Sequence, residues 1–221
     1  MSEDAAQRYH RLRDAIDREL RDCGREPGGV TLVGVGKGQP SEVLRASIEA
    51  GLHDLGENYL QEARRKFPSL PPVRKHFVGH IQTNKARQIA ATFDVVQSVD
   101  RLEAGAALAR AAREAGRVLR VLVQVNVSPA ERFGTAPADA PNLAERLRAE
   151  GLHVDGVMAI GPLDGDVDAA FERARRCFER VGGSTLSLGM SSDWESAVRH
   201  GSTMVRLGTA IFGPRPARER N

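Results

Sequence analysis

Eight short apolar runs rich in β-branched residues alternate with helical stretches along almost the whole chain. Such alternation makes each strand parallel to the last through a helical crossover, which leaves few architectures. The strands read as 31–37, 53–57, 76–80, 95–99, 119–127, 154–160, 185–189 and 204–208. Helices fill the gaps at about 40–50, 59–67, 84–92, 102–115, 141–150, 167–181 and 194–200. Eight such units predict an α/β fold, a (β/α)8 TIM barrel. An open doubly wound sheet is the alternative, because periodicity alone does not show closure. Residues 4–23 predict an extra amphipathic N-terminal helix, ended by Gly24 and Pro27. The expected organisation is one domain over 1–221, with the helix at about 4–23 and the barrel at about 30–213.

Composition narrows the class. Hydrophobic residues make up 41% and charged residues 28% of the 221 positions, ordinary globular usage that excludes a disordered or collagen-like chain. A chain of this length buries roughly 70% of its unfolded surface and needs no disulfide or metal staple. Cys23 and Cys177 lie far apart and predict free thiols. The longest apolar runs are strand-sized and the N-terminus has no apolar segment, so the expectation is a cytoplasmic protein with no membrane span. Net charge is +3 and the sequence pI is near 9.2. The charges are interleaved, however, as in Asp14 with Arg18 and Asp17 with Arg21, and aromatics are only 5%. A solvated helical surface is expected, and no nucleic-acid partner. Nor is there an apolar stripe arguing for an obligate dimer, so a monomer is expected.

Only four of the 32 basic side chains are lysines: Lys37, Lys66, Lys75 and Lys85. Arginine supplies the surface cations, so a lysine in apolar surroundings raises the question of amine chemistry. Barrel enzymes place chemistry at the C-terminal ends of their strands. Those ends carry Lys37, Glu57 and Asn58, His80 and Gln82, Ser98 and Asp100, Asn126, Met158, Gly189 to Ser192, and Arg206 to Thr209. Lys37 shares the period-two face of Val33 and Val35 and is expected at the barrel rim. Desolvation there lowers an amine's pKa and makes it a nucleophile able to form a Schiff base; the alternative is a lysine snorkelling to water. No phosphate-loop motif is present, because Gly38 follows Lys37 where Ser or Thr is needed.

A second cluster, 201–209, spans the last strand. Gly208 and Thr209 open the next turn, where backbone N–H groups and a hydroxyl suit a phosphate. Arg206 is expected to project inward and to need an acceptor, either a ligand or an acid such as Glu57. Ser192 and Glu195 fit a capping box, so 191–195 reads as structural. His76 and His80 read as core or rim residues rather than a metal pair. The stretch 128–140 reads as a lid or as a surface loop.

Taken together and in order, Val35-Gly-Lys37, Gly56-Glu-Asn-Tyr-Leu-Gln-Glu62, His76-Phe-Val-Gly-His-Ile-Gln-Thr-Asn-Lys85, Ser98-Val-Asp-Arg101, Gln124-Val-Asn126, Met158-Ala-Ile160, Leu186-Ser-Leu-Gly-Met-Ser191 and 201–209 carry a resemblance. The chain resembles the pyridoxal phosphate homeostasis protein family, single-domain relatives of the alanine racemase N-terminal barrel. The resemblance implies pyridoxal 5′-phosphate (PLP) as a Schiff base on Lys37. It implies phosphate contacts from Ser202, Gly208 and Thr209, with Thr203 beside them, Arg206 near the pyridine nitrogen and Asn58 lining the pocket. Gly36 and Gly38 stand where the family usually has Ser and Thr, and Arg132 where a lysine is common.

The function implied is storage and transfer of PLP in intracellular homeostasis, with PLP-requiring apo-enzymes as recipients and no robust turnover. The alternatives are a low-activity amino-acid racemase and a Schiff-base aldolase or phosphosugar isomerase. Racemisation as in alanine racemase uses the lysine and a tyrosine from a second domain; such a domain is not expected here. An arginine at the pyridine nitrogen also disfavours its protonation and weakens the ring as an electron sink.

Overall fold

The period of two puts Val33 and Val35 on one face of the first strand and Gly34 on the other. In the computed structural model, which describes residues 4–130 and 132–215, that strand is β1 (Thr31–Val35). A Cβ on Gly34 would meet Leu52 and Phe212, on the outer, helical side. Val33 and Val35 face inward, against the Cβ position of Gly56 in β2 (Asp54–Glu57). The remaining strands are β3 (Arg74–Phe77), β4 (Val95–Val99), β5 (Arg120–Val125), β6 (His153–Ala159), β7 (Thr185–Ser187) and β8 (Met204–Leu207). Each pairs in parallel with the next, and β8 returns to β1 with Thr31 opposite Met204 and Val33 opposite Arg206. The sheet is a closed eight-stranded barrel. The open-sheet alternative is thereby excluded.

The helices form the outer ring: α1 (Ala5–Asp22), α2 (Ser41–Glu49), α3 (Leu60–Lys66), α4 (Ala86–Thr92), α5 (Leu102–Glu114), α6 (Ala140–Ala149), α7 (Val167–Val181), α8 (Trp194–Arg199) and α9 (Thr209–Phe212). Helix α1 begins at a capping box between Asp4 and Gln7. Its i, i+4 row Leu12, Ile16 and Leu20 is buried, and it packs on α2, α8 and α9. Burying each of these side chains contributes about 1.5–3 kcal/mol, which fixes α1 to the barrel. Asp17 pairs with Arg13 at 2.8 Å and accepts the Gly28 N–H, rather than pairing with Arg21 as the spacing suggested.

Six strands end earlier than the sequence pattern indicates, β1, β3, β5 and β7 by two or three residues and β6 and β8 by one. β1 stops at Val35 because Gly38 has φ +71°, in the left-handed region, and turns the chain. β3 starts at Arg74, directly after Pro71-Pro72-Val73, and ends before Gly79. A Cβ on Gly79 would lie 1.9 Å from the Asn58 carbonyl oxygen, so the backbones of two strand ends meet there. Past β8 the chain forms the short helix α9 where the sequence suggested only a turn.

Candidate functional site

A cavity of about 340 Å³ opens at the C-terminal mouth of the barrel. Its apolar wall is Val35, Val78, Met158, Ile160 and Met190, and its polar groups are Lys37, Gln39, Asn58, Ser191, Ser192, Arg206, Gly208, Thr209 and Arg215. A mostly apolar wall with a few convergent polar groups is the form of a small-molecule site. A larger cavity of about 610 Å³ adjoins it at Ile160, under the 126–136 segment, lined also by Gln124, Val125, Asn126, Arg132 and Phe133. Among the described residues its lining carries no amine, whereas Lys37 lines the smaller one.

Lys37 stands in the turn after β1, half-buried. Burial lowers its pKa below the ordinary lysine value; the Arg215 guanidinium lowers it further and Glu57 opposes the change. More of the amine is therefore free at a given pH than for a lysine in water. The turn carrying it is held by α3. Lys66, buried, donates to the Gly36 carbonyl at 2.7 Å, to Glu57 Oε1 at 2.8 Å and to Glu62 Oε2 at 2.8 Å. Glu62 Oε2 in turn accepts the Gly38 N–H at 2.9 Å. Both neighbours of Lys37 are thus clamped by one buried ion network. Gly36 fits this clamp because a Cβ there would stand 3.0 Å from Leu44 and 3.1 Å from Glu57 Oε1. Burial raises the Glu57 carboxyl, and Lys66 offsets part of that rise.

Arg206 is buried at the cavity floor. Of the acceptors the sequence offered, a ligand or an acid such as Glu57, the acid is ruled out: Glu57 is committed to Lys66. Arg206 instead donates to the Ser187 carbonyl at 2.9 Å, to Ser187 Oγ at 2.5 Å and to the Ala159 carbonyl at 2.8 Å. Burial brings its pKa down to about 10, with Asp193 acting the other way, so it remains a cation at neutral pH.

Of the residues expected in the site, Lys37, Asn58, Arg206, Gly208 and Thr209 line this one cavity. Ser202 and Thr203 do not. They precede β8, at the opposite end of the barrel, because a parallel strand carries its first residues to the N-terminal mouth. Ser202 is fully buried, its hydroxyl among the carbonyls of Leu186, Leu188 and Met204. Thr203 Oγ1 accepts the Leu186 N–H and lines a separate cavity at that mouth. Ser191 and Ser192 take their place in the pocket. The capping box at Ser192 is not formed: Asp193 is the N-cap of α8, and its Oδ1 accepts the Met190 N–H. Gln39, Val78, Ile160 and Arg215 were not among the strand-end candidates. Lys66 read as an ordinary helical lysine, although Glu62 at i−4 was visible.

His76 is fully buried with two partners, and exposed His80 stacks on Phe133 with ring centroids 4.0 Å apart. No metal-binding cluster occurs among the described residues.

The profile of the family "Alanine racemase, N-terminal domain" matches residues 14–216. A pyridoxal phosphate homeostasis protein of Pseudomonas aeruginosa is 42% identical over 97% of this chain and 96% of its own length. The protein of that name from Escherichia coli is 37% identical over 96% of this chain and 97% of its own. The chain belongs to the pyridoxal phosphate homeostasis protein family. A solved structure of PipY from Synechococcus elongatus with PLP bound is 33% identical to this family member. Its TM-score is 0.78, covering 90% of this chain and all of PipY. Alanine racemase of Corynebacterium glutamicum shares the fold alone, at TM-score 0.71 and 17% identity, over 95% of this chain and 63% of the racemase.

The cavity fits the cofactor that the family name implies. Asn58 Oδ1 is buried with no hydrogen-bond partner, which is costly unless a ligand supplies a donor. At Gly208 a Cβ would approach the Val35 carbonyl oxygen to 3.2 Å, so a bare backbone is needed where β8 passes into α9.

Proposed function

We propose that this chain holds PLP at Lys37 and keeps it available to PLP-requiring apo-enzymes inside the cell. The observation that carries the reading is a half-buried lysine of lowered pKa in the same cavity as buried Arg206 and the unpartnered Asn58 Oδ1. Bound PLP supplies an aldehyde that reacts reversibly with an amine. Lys37 presents its amine at a place set by the Lys66–Glu62 clamp. Arg206 offers donors, and positive charge, to the ring end. Ser191, Ser192, Thr209 and the Gly208–Thr209 backbone suit the phosphate, a role for which charge-assisted hydrogen bonds are strong. Met158 and Met190 supply soft apolar contact to a flat ring.

We read the protein as a carrier without robust turnover, acting as a monomer in the cytoplasm. Among the described residues lining the cavity, no carboxylate, imidazole or phenol stands beside Lys37, so two-base racemisation lacks its second base. Tyr59 is exposed and lines a different cleft, with Arg64 and Arg65. Borohydride fixation after PLP loading, followed by digestion, should place the pyridoxyl mass on the Lys37 peptide. Lys37→Ala should stay folded, carry no label and still bind PLP reversibly. A label on Lys66, Lys75 or Lys85 overturns the assignment. Sustained α-proton exchange of an L-amino acid in deuterated water would overturn the carrier reading in favour of the racemase.

A further inference from the structure

Among the described residues no carboxylate stands within hydrogen-bonding reach of Arg206, and Asp193 acts on it only through space. A guanidinium this deeply buried is expensive without hydrogen-bonded negative charge. Its hydrogen bonds lead to a carboxylate. Arg206 Nη1 donates to Ser187 Oγ at 2.5 Å, and Ser187 Oγ donates to Gln97 Oε1 at 2.8 Å. Gln97 Nε2 can only donate, so it supplies the bond of 2.9 Å to His76 Nδ1. The proton of His76 therefore sits on Nε2, which donates to Asp54 Oδ1 at 2.8 Å. Every link donates in the same direction, from the cation to the anion. Ser187, Gln97 and His76 are each fully buried, and Asp54 nearly so.

The five residues sit on β8, β7, β4, β3 and β2, so the chain crosses the barrel interior. It climbs from Asp54, the first residue of β2 at the N-terminal mouth, to Arg206 at the floor of the Lys37 cavity. Asp54 also lies 3.4 Å from half-exposed Arg74, which joins this end to the surface. In an interior shielded from bulk solvent, aligned hydrogen bonds polarise one another.

We propose that Asp54, through His76, Gln97 and Ser187, positions and polarises Arg206 as a donor to the ring of the bound cofactor. These are positioning residues for the pocket, and the far mouth of the barrel is wired to it. The proposal rests on the PLP reading for its consequence, but the wiring itself is measurable without cofactor.

The test uses arginine-labelled full chain and follows the Arg206 guanidinium by NMR, first without and then with PLP. In Asp54→Asn and in Gln97→Met, water exchange of the guanidinium protons should rise about tenfold, the equivalent of one weakened hydrogen bond. The absorption band of the PLP-loaded form should move as well, although neither residue lines the cavity. Asp54→Glu should restore both signals. Asp155→Asn, at the same mouth but off the chain, should move neither. If one variant fails to fold, the other carries the test. An Arg206 signal unchanged in a folded Asp54→Asn or Gln97→Met overturns the proposal. Failure of the wild type to take up PLP would instead overturn the PLP reading, and the cofactor-free signal would still decide the wiring.

Discussion

At the N-terminal mouth of the barrel, Ser184 and Thr185 both donate to Asp155, Thr203 accepts the Leu186 N–H, and Ser202 bonds the strand carbonyls around it. At the C-terminal mouth, Lys37 faces its cavity with burial and a neighbouring guanidinium against its charge, and Asn58, which lines the same cavity, has its Oδ1 buried without a partner. Hydroxyls, amides and cations occur at both ends. The difference is satisfaction: one mouth closes its hydrogen bonds on itself, and the other leaves donors and acceptors for something that the chain does not supply. A buried polar group without a partner is costly, so where one lines a cavity beside a perturbed amine a ligand is the physical explanation.

The comparison breaks most readily at the clamp. Lys66→Met strips a buried cation from between Glu57 and Glu62 and should cost about 3–5 kcal/mol of stability by denaturant titration. A loss below about 1 kcal/mol would mean that the Lys37 turn holds itself. Pyridoxal, lacking the phosphate, should bind on the order of 100-fold more weakly than PLP by equilibrium dialysis, since each charge-assisted bond contributes about 1.5–3 kcal/mol. Equal affinities would remove the phosphate role of the Gly208–Thr209 end.

Serines sharpen the contrast. Ser202→Ala should lower stability by about 1–3 kcal/mol and leave PLP affinity unchanged, because its hydroxyl serves only the fold. The Ser191→Ala, Ser192→Ala double variant should do the reverse, with stability within about 0.5 kcal/mol of wild type and weaker PLP binding. If both sets changed affinity alike, the two mouths would not be functionally distinct. The smallest effect concerns pH. Burial disfavours the Lys37 ammonium, so the rate of covalent PLP uptake should rise with pH to a midpoint below the ordinary lysine value of about 10.4. Arg215→Ala removes a like charge and should move that midpoint upward, read by stopped-flow absorbance.

Much of this protein was legible in its residues alone. Period-two runs such as Val33–Val35 and helical rows such as Leu12, Ile16 and Leu20 announce themselves because burial acts on one face at a time. Lys37 emerged by the same logic, from strand periodicity and the scarcity of lysine. The resemblance, however, put Ser202 and Thr203 in the site, and the structure keeps them out of the Lys37 cavity. They neighbour Arg206 along the chain, but a strand separates its two ends by its length, and the barrel gives those ends different surroundings. Closure of the barrel, the grip of Lys66 on Gly36, the entry of Arg215 into the cavity and the chain from Arg206 to Asp54 were decided only by tertiary structure. Each joins residues from separate elements, and the direction of a side chain across a closed sheet depends on register and stagger, which no local pattern encodes.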